Sequence, residues 1–459
     1  MPNLLRNLSS IQMWILHRMK GTLAIISICS LTILSLGGGS CHIFQPTPAN
    51  SGIAYSAAWD TLSGSDKQML DKIEKAAFEY FWNGVDPTTG LGAASLTVPN
   101  RVSIATEGFA LSSICIADTR GWISYHDAYQ RVLLILNSFY RDTSNANDFC
   151  VQGYDGLFYH FVNDETGQRF GNSEVSTIDT GILMAGVLQC MEHFKGTGID
   201  SLARKIYENA DWSAFLTSGG GLAAAWTPES GMSAQFTGYN EYILVYLLGL
   251  GSPTHPIPAS SWNVWASTYH FIDPYGTGAF LTPGGSFTPE AYLYQFPACW
   301  FNFNGIKDNY ADYWQNAVNA LTANRRFCIS WAQRNSADTL LWGWTACNGE
   351  NGYLGYGDPF NGTVAPSAVA ASMPFIPTLA LPTLRYMYDK YYDKIWTQYG
   401  FTDSFNPEEN WYDTGYIGID EGNMLLMLEN FRSGGVWNEF MKIPYVQTAL
   451  QKAGFHPTS

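Results

Sequence analysis

Apolar and amphipathic segments alternate along most of the chain. The mainly apolar segments are 104–117, 178–191, 241–250, 368–388 and 424–431, the amphipathic ones are 65–82, 125–140, 201–212 and 308–332, and a short helical segment follows at 446–453. A helix that is apolar all round is buried on every side, whereas a helix with one polar face lies at the surface. The pattern therefore predicts that buried and exposed helices succeed one another.

This order predicts a double ring of helices, with an inner ring wrapped by an outer one. We expect an all-α fold of about ten to twelve helices with few strands, arranged as an (α/α)6 toroid. No period of about 20–50 residues repeats along the chain, which argues against a solenoid. Because no Ser/Gly/Pro-rich tract interrupts the chain after its first 50 residues, residues 60–459 are predicted to form a single domain.

The connections between the predicted helices are unequal in length. The long ones, which are rich in glycine, aromatic and polar residues, are 143–175, 213–238, 271–299 and 343–366. Long irregular loops in a compact domain commonly carry binding and catalytic residues. We therefore expect these four loops to contribute to a functional site.

The chain is poor in charged residues and rich in aromatic ones. Charged residues make up 14% and aromatic residues 15% of the sequence, which contains 16 Trp, 27 Tyr and 26 Phe, whereas a globular chain has about 25% charged residues. Aromatic rings fill large cores, but they also present an apolar face that can stack on the C–H face of a sugar. The composition leaves both interpretations open.

The balance of charge is acidic. The net charge is −15, from 39 acidic and 24 basic side chains. Nucleic acid binding requires clustered Lys and Arg that face the phosphates, and the sequence has no basic cluster outside its N-terminal segment. The balance therefore argues against nucleic acid and other anionic polymers as partners, and it favours a neutral ligand.

The N-terminal segment has the composition of an export signal. Its basic residues are Arg6, His17, Arg18 and Lys20, and an apolar run follows at 23–36. This run is too short for an ordinary membrane-spanning helix, which is typical of a signal peptide. We therefore predict a signal peptide over residues 1–40 and an exported protein.

The small residues at the end of this segment resemble a bacterial lipobox, with Cys41 as the lipidated residue. Gly38 stands where a lipobox usually has Leu, so plain signal-peptidase cleavage without lipidation is the alternative. Residues 42–58 are predicted to be a flexible tether. The prediction is a monomer that is either periplasmic or an outer-membrane lipoprotein, with a lipid on Cys41 as its membrane contact.

The cysteines do not indicate metal or redox chemistry. Cys29 and Cys41 lie in the N-terminal segment, and the others are Cys115, Cys150, Cys190, Cys299, Cys328 and Cys347. None forms a Cys-x-x-Cys pair, so zinc binding and dithiol chemistry are not predicted. Phosphate-binding glycine motifs and the Gly-x-Ser-x-Gly nucleophile motif are absent from the sequence as well. We expect buried thiols, at most one disulfide whose pairing stays open, and no metal or cofactor.

Three acidic positions stand at the start of apolar segments. Asp179 lies in Ser-Thr-Ile-Asp-Thr-Gly, Glu241 in Tyr-Asn-Glu-Tyr, and Asp420 and Glu421 in Gly-Ile-Asp-Glu-Gly. In a toroid the inner helices run parallel, so their N-terminal ends converge on one mouth. The acids would then meet in one cleft, where one carboxyl group can protonate a glycosidic oxygen and another can activate water or attack the sugar.

A structural role is the alternative for each acid, because Asp and Glu are favoured at helix N-termini as caps and by the helix dipole. Three acids that each begin a helix too apolar to be exposed favour a shared functional role. A helix N-terminus stabilises the charged form, so a general acid at Glu241 needs apolar walls, Tyr239, Tyr242 or a second carboxylate to raise its pKa. Asp420 and Glu421 point about 100° apart on a helix, so we expect only one of them to face the water-activating position.

Other polar and aromatic residues are candidates for contact with a sugar. They are Arg101, Glu107, Trp226, Tyr239, Asn240, Trp300, Trp411, Tyr412 and Glu421. For each aromatic ring the alternative is packing, and for Arg101 and Glu107 it is pairing with other charges. His160, His255 and His270 are isolated and lack metal-ligand spacing, so we interpret them as structural.

Five segments carry a resemblance to a known family. They are Arg-Val-Ser-Ile-Ala-Thr-Glu-Gly-Phe-Ala-Leu from residue 101, Ser-Thr-Ile-Asp-Thr-Gly from 176, Tyr-Asn-Glu-Tyr-Ile-Leu from 239, Leu-Gly-Leu-Gly-Ser-Pro-Thr-His-Pro-Ile-Pro from 248 and Gly-Ile-Asp-Glu-Gly-Asn from 418. The chain resembles the glucoamylase-like bacterial glycoside hydrolases, which include the β-1,2-glucanases of glycoside hydrolase family 144. The resemblance extends over residues 65–455, and 249–258 is its most specific part.

The resemblance implies an (α/α)6 toroid and inverting hydrolysis of β-1,2-glucan to sophorose or short oligosaccharides. It implies that Glu241 is the general acid, that Asp420 is the general base and that Asp179 lies in the substrate cleft. Glu421 stands where members of the family often carry Gln, so the base stays open between Asp420 and Glu421. Endo cleavage and sophorose-releasing exo cleavage also stay open.

Two other functions remain as alternatives. A non-catalytic glycan-binding lipoprotein could keep the toroid, but neutral sugars require aromatic and amide groups more than paired carboxylates. A hydrolase or lyase of the same fold could act on uronic-acid polymers, but an anionic substrate favours a basic cleft, which the net charge disfavours. Fold alone does not decide between these functions, so the acidic positions carry the prediction of a β-glucan hydrolase.

Overall fold

The computed structural model describes residues 58–95, 98, 100–140, 149–285 and 289–458. The predicted signal peptide, Cys41 and positions 42–57 of the predicted tether lie outside the described residues. Within the described ranges, no helix has both the length and the apolar character that a transmembrane segment requires.

Outer and inner helices alternate along the described part of the chain. The outer helices are α1 (Gly64–Asn83), α3 (Tyr125–Phe139), α5 (Gly198–Asn209), α7 (Ser260–Ala266), α9 (Tyr313–Asn335) and α11 (Pro377–Ile395). The inner helices are α2 (Ile104–Thr119), α4 (Thr177–His193), α6 (Ile243–Gly251), α8 (Tyr292–Gln295), α10 (Pro366–Ala370) and α12 (Gly418–Ser433). Two further helices, α13 (Gly435–Phe440) and α14 (Pro444–Lys452), follow α12, and α14 packs against α6.

The inner helices form the core of the protein. Every residue of α6 is buried, and so is α4 from Thr177 to Met191, whereas α5 buries one face, which includes Ile199, Ala203 and Ile206. Helix α2 packs against α4 and α12, α4 packs against α6, and α12 packs against α10. The predicted all-α fold, an (α/α)6 toroid, is confirmed.

The strands are two or three residues long and pair in small antiparallel sheets. In chain order they are β1 (Arg101–Ser103), β2 (Gly153–Tyr154), β3 (Leu157–Phe158), β4 (Phe161–Asn163), β5 (Val175–Ser176), β6 (Ala225–Thr227), β7 (Gly231–Met232), β8 (Phe271–Ile272), β9 (Phe280–Leu281), β10 (Ile306–Lys307), β11 (Cys347–Gly349), β12 (Gly352–Leu354), β13 (Trp396–Thr397), β14 (Gly400–Phe401), β15 (Phe405–Asn406), β16 (Trp411–Tyr412) and β17 (His456–Pro457). β1 pairs with β4, and β6 pairs with both β5 and β7. Because β1 and β5 lead directly into α2 and α4, these sheets fix the entry points of two inner helices.

The prediction of one interrupted helix over 368–388 is wrong. The structure has the inner helix α10 and the outer helix α11 there, and each begins at a proline, Pro366 or Pro377. Proline is favoured at the first position of a helix, where its missing N–H is not needed and its fixed φ suits the helix. The prolines therefore begin new helices rather than interrupt one.

Two short helices of the rings, the short helix α13 and one helix start also differ from the prediction. Helices α7 and α8 are not predicted, and α8 lies in the predicted loop 271–299, because one or two turns are too short to show a periodic pattern. Helix α9 begins at Tyr313 and not at residue 308, because Asp312 caps it by accepting the N–H of Gln315 at 2.9 Å. These short helices complete the two rings.

The cysteines of the described residues are not joined by a disulfide. Cys150 is half-buried and the other five are buried, as expected for thiols that pack as small apolar groups. The Sγ atoms of Cys115 on α2 and Cys190 on α4 lie 3.5 Å apart. Two of the predicted buried thiols are therefore in contact across neighbouring inner helices.

Helices α2 and α4 approach so closely that their contact requires glycine. A Cβ atom on Gly186 would clash with the backbone of Gly108, and one on Gly108 would clash with the backbone of Ile182. We expect Gly186→Ala to lower the free energy of unfolding by about 1–3 kcal/mol, because the helices would have to move apart. Urea denaturation followed by circular dichroism measures the change. Gly64→Ala is the matched control, since a Cβ there meets nothing within 4 Å, and an equal loss in both variants would contradict this explanation.

Candidate active site

The acids predicted from the sequence lie at the N-terminal ends of three inner helices. Asp179 is in the first turn of α4, Glu241 is in the turn that precedes α6, and Asp420 and Glu421 are in the first turn of α12. Successive inner helices are separated by an outer helix that returns the chain, so the inner helices run in the same direction. Their N-terminal ends therefore share one mouth of the toroid.

Asp179 is held by two neighbours. Its Oδ2 accepts a hydrogen bond from Ser176 Oγ at 2.5 Å, and its Oδ1 lies 3.4 Å from Nε2 of His160. Ser176 also caps α4 by accepting the backbone N–H of Asp179 at 3.2 Å. Burial raises the pKa of Asp179, while His160 and the Ser176 hydroxyl oppose that rise. The carboxyl group thus has a fixed position at the helix entrance.

Glu241 lies in a turn that its neighbours fix through the backbone. The Oδ1 atom of the buried Asn240 accepts the N–H of Tyr242 at 2.9 Å, and the Glu241 carbonyl accepts the N–H of Leu244 at 3.1 Å. Burial raises the pKa of Glu241 to about 7, and the Asp179 carboxylate adds to the rise. Burial therefore outweighs the helix N-terminus, and the carboxyl group is protonated near neutral pH, as a general acid must be.

Asp420 and Glu421 both lie beside Asp403, an acid that the sequence analysis did not single out. All three are buried. Asp403 follows β14, and its Oδ2 accepts the N–H of Asn348 at 2.6 Å. Burial and then Asp403 raise the pKa of Asp420, and the same two causes raise the pKa of Glu421. Asp403 therefore interacts with both adjacent acids of α12, and which of the two faces the attacking water stays a prediction.

The carboxyl groups of Asp403 and Asp420 interact with each other. Two buried carboxyl groups that interact in this way cannot both be ionised at low cost, so the negative charge of Asp403 raises the pKa of Asp420. Burial raises the pKa of Asp403 to about 7, and the N–H of Asn348 opposes the rise.

Glu290 is a further acid that the sequence analysis did not single out. It lies just before α8, it is buried, and its Oε1 accepts the N–H of Gly357 at 2.8 Å. Burial raises the pKa of Glu290 to about 8, and the Glu241 carboxylate contributes to the rise. Glu290 has the same relation to α8 as Glu241 has to α6. The position of Glu290 just before an inner helix can be recognised only once the four-residue helix α8 is known.

Tyr353 is an aromatic side chain at the acid cluster. It lies on β12, in the predicted functional loop 343–366, and 49% of its surface is exposed. Burial and the carboxyl groups of Asp420, Asp403 and Glu290 raise the pKa of its phenol. An exposed ring beside these acids is suited to stacking on a sugar. A single tyrosine in a glycine-rich hairpin gives no sequence pattern that could have identified it.

Four of the residues predicted to contact sugar are half-buried and lie in short strands. They are Arg101, Trp226, Trp411 and Tyr412. Trp226 on β6 stacks on Tyr154 with ring centroids 3.9 Å apart. The guanidinium group of Arg101 lies 4.6 Å from the ring centroid of Phe161. Each of these side chains keeps some exposed surface that a ligand could contact.

Trp300 and Tyr239 are buried in the core instead. Trp300 has no exposed surface, and its indole N–H donates to Ser112 Oγ at 2.9 Å. Tyr239 stacks on Tyr294 and Tyr313. Both rings pack in the core, and neither has a face that is open to a sugar.

Five carboxyl oxygens of the acids have no hydrogen-bond donor among the described residues. They are Oε2 of Glu107, Oε2 of Glu290, Oδ1 of Asp403, Oδ2 of Asp420 and Oε2 of Glu421. The other oxygen of Glu107 accepts the N–H of Gly92 at 2.7 Å. Buried polar atoms require hydrogen-bond partners, and hydroxyl groups can donate to carboxylates. The acids are therefore suited to a ligand rich in hydroxyl groups. Within the described ranges, no group of three or more His, Cys, Asp or Glu residues is arranged to hold a metal ion.

The sequence is similar to proteins of one group. Residues 233–444, which include Glu241 and Asp420 but not Asp179, match a family described as putative glucoamylases. Over 433 residues the chain is 26% identical to an exo-β-1,2-glucooligosaccharide sophorohydrolase (non-reducing end) from Parabacteroides distasonis, with 84% of this chain and 58% of the relative covered. The chain thus spans little more than half the length of that curated relative.

The fold is similar to solved structures of the same group. A putative glucoamylase from Bacteroides uniformis matches with a TM-score of 0.79 and 28% identity, over 86% of this chain and 99% of that one. An endo-β-1,2-glucanase from Chitinophaga pinensis, in complex with sophorotriose and glucose, matches with a TM-score of 0.76, 28% identity and the same coverage. These similarities extend over most of the chain, and they confirm its resemblance to the glucoamylase-like proteins.

Proposed function

We propose that the protein is a glycoside hydrolase that cleaves β-1,2-glucan by an inverting mechanism. The observation that carries the proposal is Glu241, a carboxyl group with a pKa raised to about 7 at the mouth of the toroid. The substrate class is supported by the similar proteins, which include an exo-β-1,2-glucooligosaccharide sophorohydrolase and an endo-β-1,2-glucanase. Endo cleavage and release of sophorose from a chain end are both compatible with the proposal.

Glu241 acts as the general acid. Below a pH of about 7 its carboxyl group is protonated, and it donates this proton to the glycosidic oxygen as the C1–O bond breaks. The leaving sugar then departs as a neutral alcohol, which lowers the barrier. The Asp179 carboxylate interacts with Glu241 and favours the protonated form of the acid.

Asp420 acts as the general base, with Asp403 as its partner. A water molecule attacks C1 on the face opposite the leaving oxygen, and Asp420 removes its proton. Asp420 is ionised before this step and protonated after it, and the neighbouring Asp403 carboxyl group raises the affinity of Asp420 for the proton. One water is consumed, and the new reducing end forms with the inverted, α configuration.

We expect Asp403→Asn to move the acidic limb of the pH profile of kcat/KM to lower pH by roughly one unit. Base activity is present above the pKa of Asp420 and is lost as the pH falls through it. Removal of Asp403 removes one cause of the raised pKa of Asp420, so the ionised base persists to lower pH. Initial rates across the acidic and neutral range measure the limb. Asp389→Asn, at a side chain that is 62% exposed on α11, is the matched control, and an unchanged limb in Asp403→Asn would contradict the effect of Asp403 on the pKa of Asp420.

Product analysis tests the proposed function. Purified protein is incubated with linear β-1,2-glucan and, in parallel, with β-1,3-glucan, β-1,4-glucan and starch. We expect β-1,2-linked oligosaccharides from the first polymer alone, and their size distribution separates endo from exo cleavage. Cleavage of another polymer instead would contradict the substrate class. Binding of β-1,2-glucan without any cleavage would favour the non-catalytic alternative.

We further propose that the protein is exported and acts as a monomer, either in the periplasm or as an outer-membrane lipoprotein lipidated on Cys41. The support is the N-terminal sequence, with basic residues, a short apolar run and small residues before the cysteine. Metabolic labelling with a fatty-acid analogue tests lipidation, and Cys41→Ala should abolish the label. Light scattering coupled to gel filtration measures the mass of the particle in solution. Equal labelling of both forms would contradict lipidation at Cys41.

A further inference from the structure

We propose that His160 is a positioning residue of the acid site, which holds the Asp179 carboxylate in place and keeps it charged beside Glu241. The inference rests on the proposed function, in which Glu241 is the general acid. In the sequence His160 is isolated, and the pattern indicates only a structural role. Its surroundings in the folded protein connect it to two acids.

His160 lies between two carboxyl groups. Its Nδ1 is 3.3 Å from Oε1 of Glu174, and its Nε2 is 3.4 Å from Oδ1 of Asp179. The backbone N–H of His160 donates to the Glu174 carbonyl at 2.8 Å, and the His160 carbonyl accepts the N–H of Ile104 at 3.1 Å. The imidazole also stacks on Phe161, with ring centroids 3.7 Å apart. The ring therefore has a fixed orientation, with one nitrogen directed at each acid.

Both oxygens of Asp179 are engaged by this arrangement. Oδ2 accepts the hydroxyl of Ser176, and Oδ1 faces His160. A carboxylate held on both sides cannot turn away from the entrance of α4. His160 thus determines one half of the position of Asp179, and Ser176 determines the other.

The charged groups that face His160 favour its imidazolium form. Glu174, just before β5, and Asp179, on α4, supply two negative charges, while Arg101 on β1 supplies one positive charge that opposes them. Burial lowers the pKa of His160, but the two carboxylates outweigh burial and raise it above its ordinary value. An imidazolium ion donates from both nitrogens, which matches the acceptor on each side.

The charge of His160 acts on Glu241 through Asp179. Burial alone would favour a protonated Asp179, and His160 opposes this. The Asp179 carboxylate then adds to the burial that raises the pKa of Glu241. Among the described residues, Tyr239, Tyr242, Glu290 and Tyr292 also interact with Glu241, and none of these four carries a positive charge. His160 is therefore a positively charged group that acts on Asp179 and, through it, on Glu241.

The pH dependence of kcat/KM on β-1,2-glucan tests the inference. On the basic side of the profile, activity is complete below the pKa of Glu241 and is lost as the pH rises through that pKa. In His160→Gln the Asp179 carboxyl group gains a proton, its charge no longer supports the proton on Glu241, and the basic limb moves to lower pH by roughly 0.5–1 unit. His126→Gln makes the same change at an exposed position of α3 and should leave the profile unchanged.

A second variant separates positioning from folding. Ser176→Ala removes the other hydrogen bond that lowers the pKa of Asp179, and it should move the basic limb in the same direction by a smaller amount. Circular dichroism and thermal unfolding confirm that each variant is folded. A lower rate at every pH without displacement of the limb in both variants would overturn the inference and leave His160 with a structural role.

A further measurement does not depend on activity. The ring of His160 is titrated by NMR in histidine-labelled protein, and its signal is assigned by its loss in His160→Gln. We expect its pKa above the ordinary value of about 6.5 and a decrease in Asp179→Asn. If the protein shows this raised pKa but cleaves no glucan, the contact between His160 and Asp179 would be supported and the proposed function would be refuted. A pKa at or below the ordinary value, or one unaffected by Asp179→Asn, would overturn the inference.

Discussion

Glu241→Gln is expected to lower kcat on linear β-1,2-glucan by about 10²–10⁴-fold. Glutamine has nearly the same shape, but it cannot donate a proton to the glycosidic oxygen. The fold should persist, because the turn around Glu241 is held by the Asn240 side chain and by backbone hydrogen bonds that do not involve the Glu241 carboxyl group. The loss should therefore appear in kcat and not in thermal stability.

Initial rates of reducing-end release measure this prediction, and a synthetic substrate sharpens it. Glu165→Gln, at an exposed position after β4, is the matched control. A β-sophoroside of an acidic phenol has a leaving group that departs without protonation, so Glu241→Gln should lose much less activity on it than on the glucan. A variant that keeps more than about a tenth of the wild-type kcat on the glucan would contradict the role of Glu241.

Asp420→Asn is the other substitution with a large expected effect, again about 10²–10⁴-fold in kcat. Asparagine is close to aspartate in size but cannot accept the proton of the attacking water. Asp403 does not replace it, since one of its oxygens is already engaged by the N–H of Asn348. The loss should be present at every pH, unlike the displaced limb expected for Asp403→Asn.

Azide distinguishes the loss of a base from the loss of an acid. This anion attacks C1 without giving up a proton, so it should restore part of the activity of Asp420→Asn as an α-glycosyl azide and none of the activity of Glu241→Gln. Glu421→Gln runs beside them and should keep most of the wild-type rate. A larger loss and azide rescue in Glu421→Gln would transfer the role of base from Asp420 to Glu421.

The fold could be predicted in outline from the spacing of apolar residues. Segments 178–191 and 241–250 are apolar because α4 and α6 are surrounded by protein on all sides. Parallel inner helices then bring Asp179 and Glu241 to one mouth. The same argument missed α8, whose four residues are too few to show a period, and with it the acid Glu290.

The remaining parts of the site depend on long-range packing, which no local pattern contains. Asp403 lies between two short strands, and tertiary structure brings it beside Asp420. His160 reaches Asp179 because Tyr159 pairs with Val175 and the His160 N–H donates to the Glu174 carbonyl, which brings the two chain segments together just before α4. Trp300 is a residue type that can stack on a sugar, but it is fully buried. The sequence alone does not reveal whether the faces of an aromatic ring are covered.

Burial dominates the electrostatics of the acid cluster. Each acid at an inner helix end feels a helix dipole that stabilises its charged form, yet burial raises the pKa of Asp179, Glu241, Glu290 and Asp420. Burial also raises the pKa of Asp403, which lies between two strands. Clusters of perturbed carboxyl groups are typical of catalytic sites. The two functional groups of the proposed mechanism therefore both depend on exclusion of water from the mouth of the toroid.

The stereochemistry of cleavage tests the central claim most directly. Wild-type protein is mixed with linear β-1,2-glucan, and the anomeric protons of the new reducing ends are followed by ¹H NMR before mutarotation equilibrates them. The proposed acid and base predict that the α anomer appears first, that the β anomer follows at the rate of mutarotation, and that Glu241→Gln and Asp420→Asn produce neither signal at a comparable rate. Initial release of the β anomer, or no cleavage of this glucan, would contradict the account.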